Sequence, residues 1–470
     1  MKPTRRRRTV LPTVLALIPL LALGCSAQTD TDTDGADGAK GEGPSSGRAG
    51  DAPRPVEGLG DIVVAGRPVT GSKPSGQAKL PYQRTYASGP LYAAVTGYRS
   101  MAYGQAGLEA VYDDVLSAGV KGRGSLSGHV VTTIRPELQS AAADALGSRK
   151  GAAVAVDAGS GRILALVSTP SYDPSAFSGY VSSDEKAWRE LLGDSDKPML
   201  NRALREAAEP RETFHVVVAA AALEEGLYRS VDEATRAPLP YTLPGTTTEL
   251  DSDGAPCARA SIRTALRRAC DNVFASIAVE LGRSSLAATA EAFGFNDDAA
   301  GVPVRVAEST YPTGDVKGHE VALSGIGSGG VRVTPLKMVE VMAVIANGGR
   351  SVAPSMVDTV VLGDGTVQKP KDGAASAAPR RVIGRGTAEQ LQSVIEDASG
   401  GKGAAGLTGW VAPPTGSSGS EPTAWSVSYA RDKSGRPIAM AVRVDGPGSD
   451  GTGDAGPAVA VSERMRSAVS

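Results

Sequence analysis

The stretch "GAAVAVDAGSGRILALVS", residues 151–168, decides the fold. Two apolar runs flank the turn residues Asp157 to Gly161, a pattern that predicts a β-hairpin. Near the C-terminus, "TAWSVSYA" (423–430) and "PIAMAVRV" (437–444) flank "RDKSGR" and predict a second hairpin. Between the two hairpins the apolar spacing is mostly helical, over 212–226, 261–281, 284–293, 335–348 and 387–398. Strands, then a helical middle, then strands again predict an α+β domain, one antiparallel sheet packed by helices, over 146–470.

Upstream, residues 56–145 form a smaller module. "DIVVAGRPV" reads as strand, glycine turn, strand. "GQAGLEAVYDDVLSAG" carries Leu108, Val111, Tyr112 and Val115 at helical spacing, with Gly119 as a stop. "HVVTTI" alternates as a strand, and "RPELQSAAADAL" starts a helix with Pro136 in its first turn. Residues 1–25 read as an export signal: Lys2 and Arg5 to Arg8 precede the apolar run "TVLPTVLALIPLLALG". That run ends in Ala22-Leu23-Gly24-Cys25, which resembles a bacterial lipobox with Cys25 as the lipidated residue. "RRTVL" also resembles a twin-arginine signal. Pro12, Pro19 and the shortness of the run argue against a spanning helix. Residues 26–55 are polar, without aromatic or large aliphatic side chains up to Pro55, and read as a flexible tether. These features predict a protein held by a lipid on the extracellular face of the cytoplasmic membrane.

The chain has 470 residues, 41% hydrophobic and 21% charged, with a net charge of −2. That length accommodates two or three domains, and that charge supplies no basic field for nucleic acid. Besides Cys25 there are two cysteines, Cys257 and Cys270, thirteen residues apart. Outside the membrane a disulfide between them is expected, closing a loop for about 3 kcal/mol. Only three histidines are present, His129, His215 and His319, so no metal site and no cofactor is expected.

Several stretches together resemble the class B penicillin-binding proteins of actinobacteria. Gly60-Asp61-Ile62 with Gly66, the segment "YASGPLYAAVTGYRSMAYGQAGLEAVYDDVL" and within it Gly107-Leu108-Glu109 are similar to the family's pedestal, a dimerisation-like module. "TTIRPELQ", "GAAVAVDAGSGRILALVSTPSYDPSAF" and "GIGSGGVRVTPLKM" are similar to parts of its D,D-transpeptidase domain. The resemblance implies a peptidoglycan-related protein acting at the cell wall. The family's chemistry sits in three motifs, S-x-x-K, S-x-N and K-T-G. A serine at a helix start attacks, the lysine one turn later activates it, a second serine relays protons, and the last lysine and threonine hold a carboxylate.

Laid onto those motifs, this sequence departs at the reactive positions. "PRETFH" (210–215) stands where the family has Pro-Gly-Ser-Thr-Phe-Lys: Thr213 and Phe214 match, Glu212 replaces the serine and His215 the lysine. In "RACDNVFA", Ala269 replaces the second serine, Cys270 matches and Asp271 replaces the asparagine. In "GLTGW", Leu407 replaces the lysine, Thr408 and Gly409 match, and Trp410 takes the last place. A glutamate has no hydroxyl to acylate, and a carboxylate attack would give an anhydride. Two gained carboxylates and two lost ammonium groups make the cleft about four charges more negative, and one like-charge contact near 4 Å costs on the order of 4 kcal/mol at an effective dielectric of 20. The reading is a pseudoenzyme that scaffolds or regulates wall synthesis or division through partner proteins. Two alternatives stay open: an active transpeptidase or carboxypeptidase using unusual residues, and a sensor that binds wall fragments without reacting.

Blander readings apply locally. Glu212-x-x-His215 is half of a helical di-metal motif without a second half, and Glu212 at a helix start is favoured by the dipole alone. Ser183-Asp184-Glu185-Lys186 matches S-x-x-K as a string but precedes the family's helix. Ser328 lies in a glycine-rich turn that is neither a nucleophile elbow nor a P-loop.

Overall fold

The computed structural model describes residues 53–122, 126–251, 256–297, 301–314, 317–370, 378–397, 404–411, 423–446 and 456–469, with 404–411 described by their backbone. Cys25 and the tether up to residue 52 lie outside the described residues.

The N-terminal part carries strands β1 (Ile62–Val64), β2 (Arg67–Pro68), β3 (Thr70–Gln77) and β4 (Leu80–Tyr86), then helix α1 (Gly89–Thr96). It continues through β5 (Tyr98–Ser100), β6 (Gly104–Ala106), the single-turn helices α2 (Leu108–Val111) and α3 (Asp113–Leu116), and β7 (His129–Thr132). Helix α4 (Pro136–Leu146) leads into β8 (Gly151–Asp157) and β9 (Ile163–Thr169). The helical middle comprises α5 (Ser182–Gly193), α6 (Arg202–Arg205) and α7 (His215–Glu224), then, after the short strands β10 (Tyr241–Thr242) and β11 (Glu249–Leu250), α8 (Ile262–Arg268), α9 (Asp271–Ala292), α10 (Gly318–Gly325) and α11 (Pro335–Ala346). Strands β12 (Arg350–Ser351), β13 (Val357–Val361), β14 (Val367–Gln368) and β15 (Arg380–Arg381) precede α12 (Arg385–Asp397). The chain closes with β16 (Ala404–Val411), β17 (Thr423–Arg431), β18 (Pro437–Asp445) and α13 (Gly456–Val469).

The central sheet has the order β16-β17-β18-β8-β9 and is antiparallel throughout. Its hairpins are those read from the sequence, joined by pairing β18 to β8 from Ile438↔Asp157 to Val444↔Gly151. Every residue of β8 and β9 is buried, because helices cover both faces. Val154, Val156, Trp425, Val427 and Ala441 face one core, shared with α7, α9 and α11. Their strand neighbours Ala153, Ala155, Met440 and Val442 face another, formed with Leu138 and Ala142 of α4 and Val461 and Met465 of α13. This two-sided burial explains continuous apolar runs in an antiparallel sheet, where a single covered face would give alternation. Each fully buried Val or Leu contributes about 1.5–3 kcal/mol relative to exposure.

Helix α7 lies in the larger core and is apolar on all sides, with Val216 to Ala222 fully buried. A helix without a polar face is an interior helix. Its alanines let the neighbouring helices approach closely. The same economy appears at Gly325, where a Cβ would lie 2.4 Å from Ala278 Cβ and 2.6 Å from Phe274 O.

A second five-stranded sheet, β14-β13-β7-β1-β2, goes beyond the single sheet expected. It is mixed: β1 runs parallel to β7, and the other pairs are antiparallel. Strands β13 and β14, from the region after α11, complete a sheet whose other members come from residues 62–132.

That N-terminal region is organised around a buried ion cluster. Glu109, fully buried, takes Arg84 in a two-point contact, Nε to Oε1 at 2.7 Å and Nη2 to Oε2 at 3.0 Å. Arg99 Nε donates to the same carboxylate at 3.0 Å, and Arg84 Nη1 donates to Gly60 O at 2.8 Å. The guanidinium thereby ties β4 to α2 and to the start of β1. Removing one partner of such a pair leaves an uncompensated buried charge. Glu109→Ala is therefore expected to lower stability by about 3–5 kcal/mol in urea unfolding followed by circular dichroism, with Glu109→Gln losing less because one acceptor survives.

Candidate functional site

The sequence "EPRETF" turns sharply before α7. Arg211–Phe214 form one 3-10 turn that runs straight into His215, so the helix expected from 212 starts three residues later. Thr213 Oγ1 donates to Pro210 O at 2.6 Å. Phe214 is wedged between Phe295 and Tyr311, with ring centroids at 5.6 and 6.0 Å. Arg211 sits at φ 50°, a region that favours glycine. It is held there by Gly327, whose O accepts from Arg211 N at 3.1 Å and whose missing side chain leaves room: a Cβ would lie 2.3 Å from Arg211 O. Ser328, next in that turn, donates from Oγ to Glu209 Oε2 at 3.0 Å.

Facing this turn is the junction of α8 and α9. The expected helix over 261–281 is broken there. Ala269 adopts the left-handed conformation, φ 54° and ψ 47°, and Cys270 N donates to Ala265 O at 3.0 Å. A disulfide joins Cys270 to Cys257 with their Cα atoms 5.5 Å apart. Asn272 Nδ2 donates to Pro238 O at 2.9 Å and Cys257 O at 3.0 Å. These ties fix the first turn of α9 and aim Asp271 at α7. Further along, α9 absorbs the second predicted helix across a non-helical Gly282, φ 76°.

His215 and Asp271 meet, Nε2 to Oδ1 at 3.3 Å. This is an ion-pair distance without hydrogen-bond alignment, since neither atom has a hydrogen-bond partner. The buried imidazole stacks on Phe274, one turn into α9, with ring centroids 4.0 Å apart and 18° between planes. Glu212, half-buried, has its carboxyl pushed above the ordinary range, first by burial and then by the Asp271 carboxylate; His215 and Arg211 oppose the shift. Ala269 is exposed at the rim. Leu407, Thr408 and Gly409 lie on β16, the edge strand, in register with Val427, Ser426 and Trp425 of β17, and the backbone of β16 runs beside the 211–214 turn. The three stretches carrying the sequence-predicted residues thus converge on one place.

Chemically, the turn and the start of α9 offer two carboxylates, one imidazole and one guanidinium. Sequence reasoning missed the last. Arg211 stands one residue before Glu212 and brings a positive charge to the turn, and its Nε is buried without a hydrogen-bond partner. The signal was present in "PRETFH" itself. Among the described residues no group of three or more His, Cys, Asp or Glu is placed to hold a metal. His129 sits in the N-terminal region, where its Nδ1 accepts from Asp61 N at 3.0 Å. The string Ser183-Asp184-Glu185-Lys186 belongs to α5, where Asp184 caps the helix by accepting from Gly179 N at 2.8 Å and Val181 N at 3.0 Å.

A carboxyl whose pKa is higher in the fold than in the unfolded chain favours folding while it is protonated. Glu212 therefore withdraws stability as pH rises from the unfolded carboxylate value through its own raised one. Glu212→Gln is expected to gain stability over the parent at pH 7 and to lose that advantage at pH 4, measured by urea unfolding across pH; a pH-independent difference would refute the assignment.

Comparison with known proteins places this geometry. The penicillin binding protein transpeptidase domain family matches residues 151–462, and the penicillin binding protein A dimerisation domain family matches 59–126. The peptidoglycan D,D-transpeptidase PbpA of Mycolicibacterium smegmatis is 32% identical over 418 residues, covering 82% of this chain and 84% of that protein. PbpA of Mycobacterium tuberculosis is 33% identical over 383 residues, 75% of this chain and 74% of that one. The solved structure of M. tuberculosis penicillin-binding protein A as a penicillin G acyl-enzyme complex superposes with a TM-score of 0.78 at 29% identity, covering 88% of this chain and 99% of that one. The chain belongs to the penicillin-binding protein transpeptidase family and is homologous to its actinobacterial class B D,D-transpeptidases.

Proposed function

We propose that this protein is a catalytically inert member of its family, a scaffold or regulator of peptidoglycan synthesis or division. The reading assigns Glu212, His215, Ala269, Asp271, Leu407, Thr408 and Gly409 to the family's motif positions. One observation carries it: the imidazole at 215 lies 3.3 Å from the carboxylate at 271. In the family pattern those positions hold a lysine and an asparagine serving an attacking serine. Here they engage each other, and Glu212 offers no hydroxyl to activate. The M. tuberculosis relative forms an acyl-enzyme with penicillin G; this chain would form none.

Export and anchoring belong to the same proposal. Cys25 would carry the lipid, residues 26–55 would span from the membrane to the module starting near 56, and the folded chain would work on the extracellular face. Its partners would be proteins of wall synthesis or division, met through the N-terminal module, which keeps the family's features while the cleft has changed.

Intact mass spectrometry after incubation with excess penicillin G tests the central point. The expected spectrum shows unmodified protein, and a stoichiometric adduct would end the proposal. Glu212→Ser with His215→Lys is expected to stay unacylated, because Ala269, Asp271 and Leu407 are still altered. Acylation of that double variant at the rate of a PbpA control would show that the remaining three positions do not matter.

A further inference from the structure

The edge of the central sheet opposite β16 is formed by β9, and beyond its end a cavity of about 410 Å³ opens against the N-terminal module. Ala94 of α1 and Gly97 just beyond its end form one wall; Leu200, Leu204 and Val304 form the other. The first wall is rigid, because α1 ends on a glycine contact in which a Cβ at Gly107 would lie 2.7 Å from Gly97 Cα. The volume falls within the roughly 300–1,000 Å³ of small-molecule sites.

The polar groups around the cavity divide into two sets. Ser168 Oγ donates to Leu200 O at 2.9 Å and accepts from Arg202 N at 3.0 Å. Ser171 Oγ donates to Pro90 O at 2.7 Å, and Asn201 Nδ2 to Ala94 O at 2.8 Å. These donors are occupied in holding the walls; Asn201 Oδ1, an acceptor, is buried without a hydrogen-bond partner. Arg205, Arg305 and the Tyr172 hydroxyl are the other set: none forms a hydrogen bond or ion pair with the described residues, and all three line the cavity. No Asp or Glu lines it. Arg202, three residues before Arg205, makes the contrast clear: it pairs with Glu206 at 3.2 Å. Burial pushes the Tyr172 phenol well above its usual range, so it stays a neutral donor.

Two guanidiniums and a phenol on a carboxylate-free cavity form a donor set that no described acceptor engages. We propose that this cavity binds a small organic anion, an acyl or short peptidyl group ending in a carboxylate or phosphate, and that its occupant bridges the N-terminal module to the transpeptidase-fold domain. Arginine suits both anions because its planar fork donates two parallel charge-assisted hydrogen bonds. The apolar part of the walls, with Leu200, Leu204 and Val304, takes the body of the ligand. The inference does not depend on whether the cleft at Glu212 is inert, since the two sites lie at opposite edges of one sheet.

Titration calorimetry on the full chain in detergent, at fixed ionic strength, provides the test. The probes are N-acetyl-alanyl-alanine with a free carboxylate, the same compound as its C-terminal amide, and propyl phosphate. Expected is saturable one-site binding of at least one of the two anions, with the amide at least about tenfold weaker. The carboxylate-to-phosphate affinity ratio then identifies which anion the site prefers. Arg205→Gln with Arg305→Gln should weaken the anion at least about tenfold while leaving Tm unchanged, because both side chains are exposed. Tyr172→Phe should weaken it less. Absence of saturable binding by both anions, equal binding of the amide, or undiminished binding by the double arginine variant would overturn the proposal; the last would place the anion elsewhere on the protein.

Discussion

The pairing of β18 with β8 is the constraint on which the rest depends. It joins residues 151–157 to 438–444, so the ends of the transpeptidase-fold domain must meet before the middle of the chain has a sheet to pack against. Closing so long a loop is entropically unfavourable. The burial of both sheet faces offsets it, since each strand then contributes to two cores at once. The segment between the hairpins, 170–422, thereby supplies the helices that pack on one face. Helix α7, with no polar side of its own, is stable only because that face exists.

This arrangement separates the scaffold of the site from its chemistry. The turn before α7 is set by Thr213, Phe214 and the glycine at 327, none of which reacts. The start of α9 is set by the disulfide and by Asn272. Residues 212, 215 and 271 can therefore change without loss of the fold, provided their new charges find partners. They do so locally: the imidazole has the 271 carboxylate and the Phe274 ring, while burial and that same carboxylate push the Glu212 carboxyl above its ordinary range. Arg211 is tolerated at a positive φ because the turn is fixed from both sides, by Gly327 and by Phe214. Backbone strain of about 1–3 kcal/mol persists only where the surroundings determine the conformation to this degree.

Much of this was legible in the sequence, for reasons that differ by element. The two hairpins announce themselves because apolar runs bracket turn residues at short range. The stretches that converge beside α7 are readable because Thr213, Phe214, Cys270, Thr408 and Gly409 resemble the family's pattern. The second sheet was not legible: its strands are two to five residues long, and β13 pairs with β7 across more than 200 residues, which no local period records. The break at Ala269 was hidden because alanine is the strongest helix former; its left-handed conformation is imposed by the cross-link at Cys270 and by Asn272. The positive charge at Arg211 was visible as a letter. Attention to the reacting positions alone passed over it.

The coupling among these residues bears on how a site of this kind stays as it is. Asp271 is acceptable where it stands because His215 is beside it, and His215 is acceptable in an apolar core because Asp271 and Phe274 receive it. Replacing the histidine alone would strand the carboxylate; replacing Asp271 alone would strand the imidazole. Partners in one buried network show interaction energies of about 0.5–3 kcal/mol, so single changes toward the family's pattern meet a penalty that paired changes avoid. Glu212 sharpens the asymmetry, since its raised proton affinity draws on the charge at 271. A site whose members depend on one another in this way resists single substitution on electrostatic grounds, while the fold around it depends on the β18–β8 pairing and on Phe214 rather than on these charges.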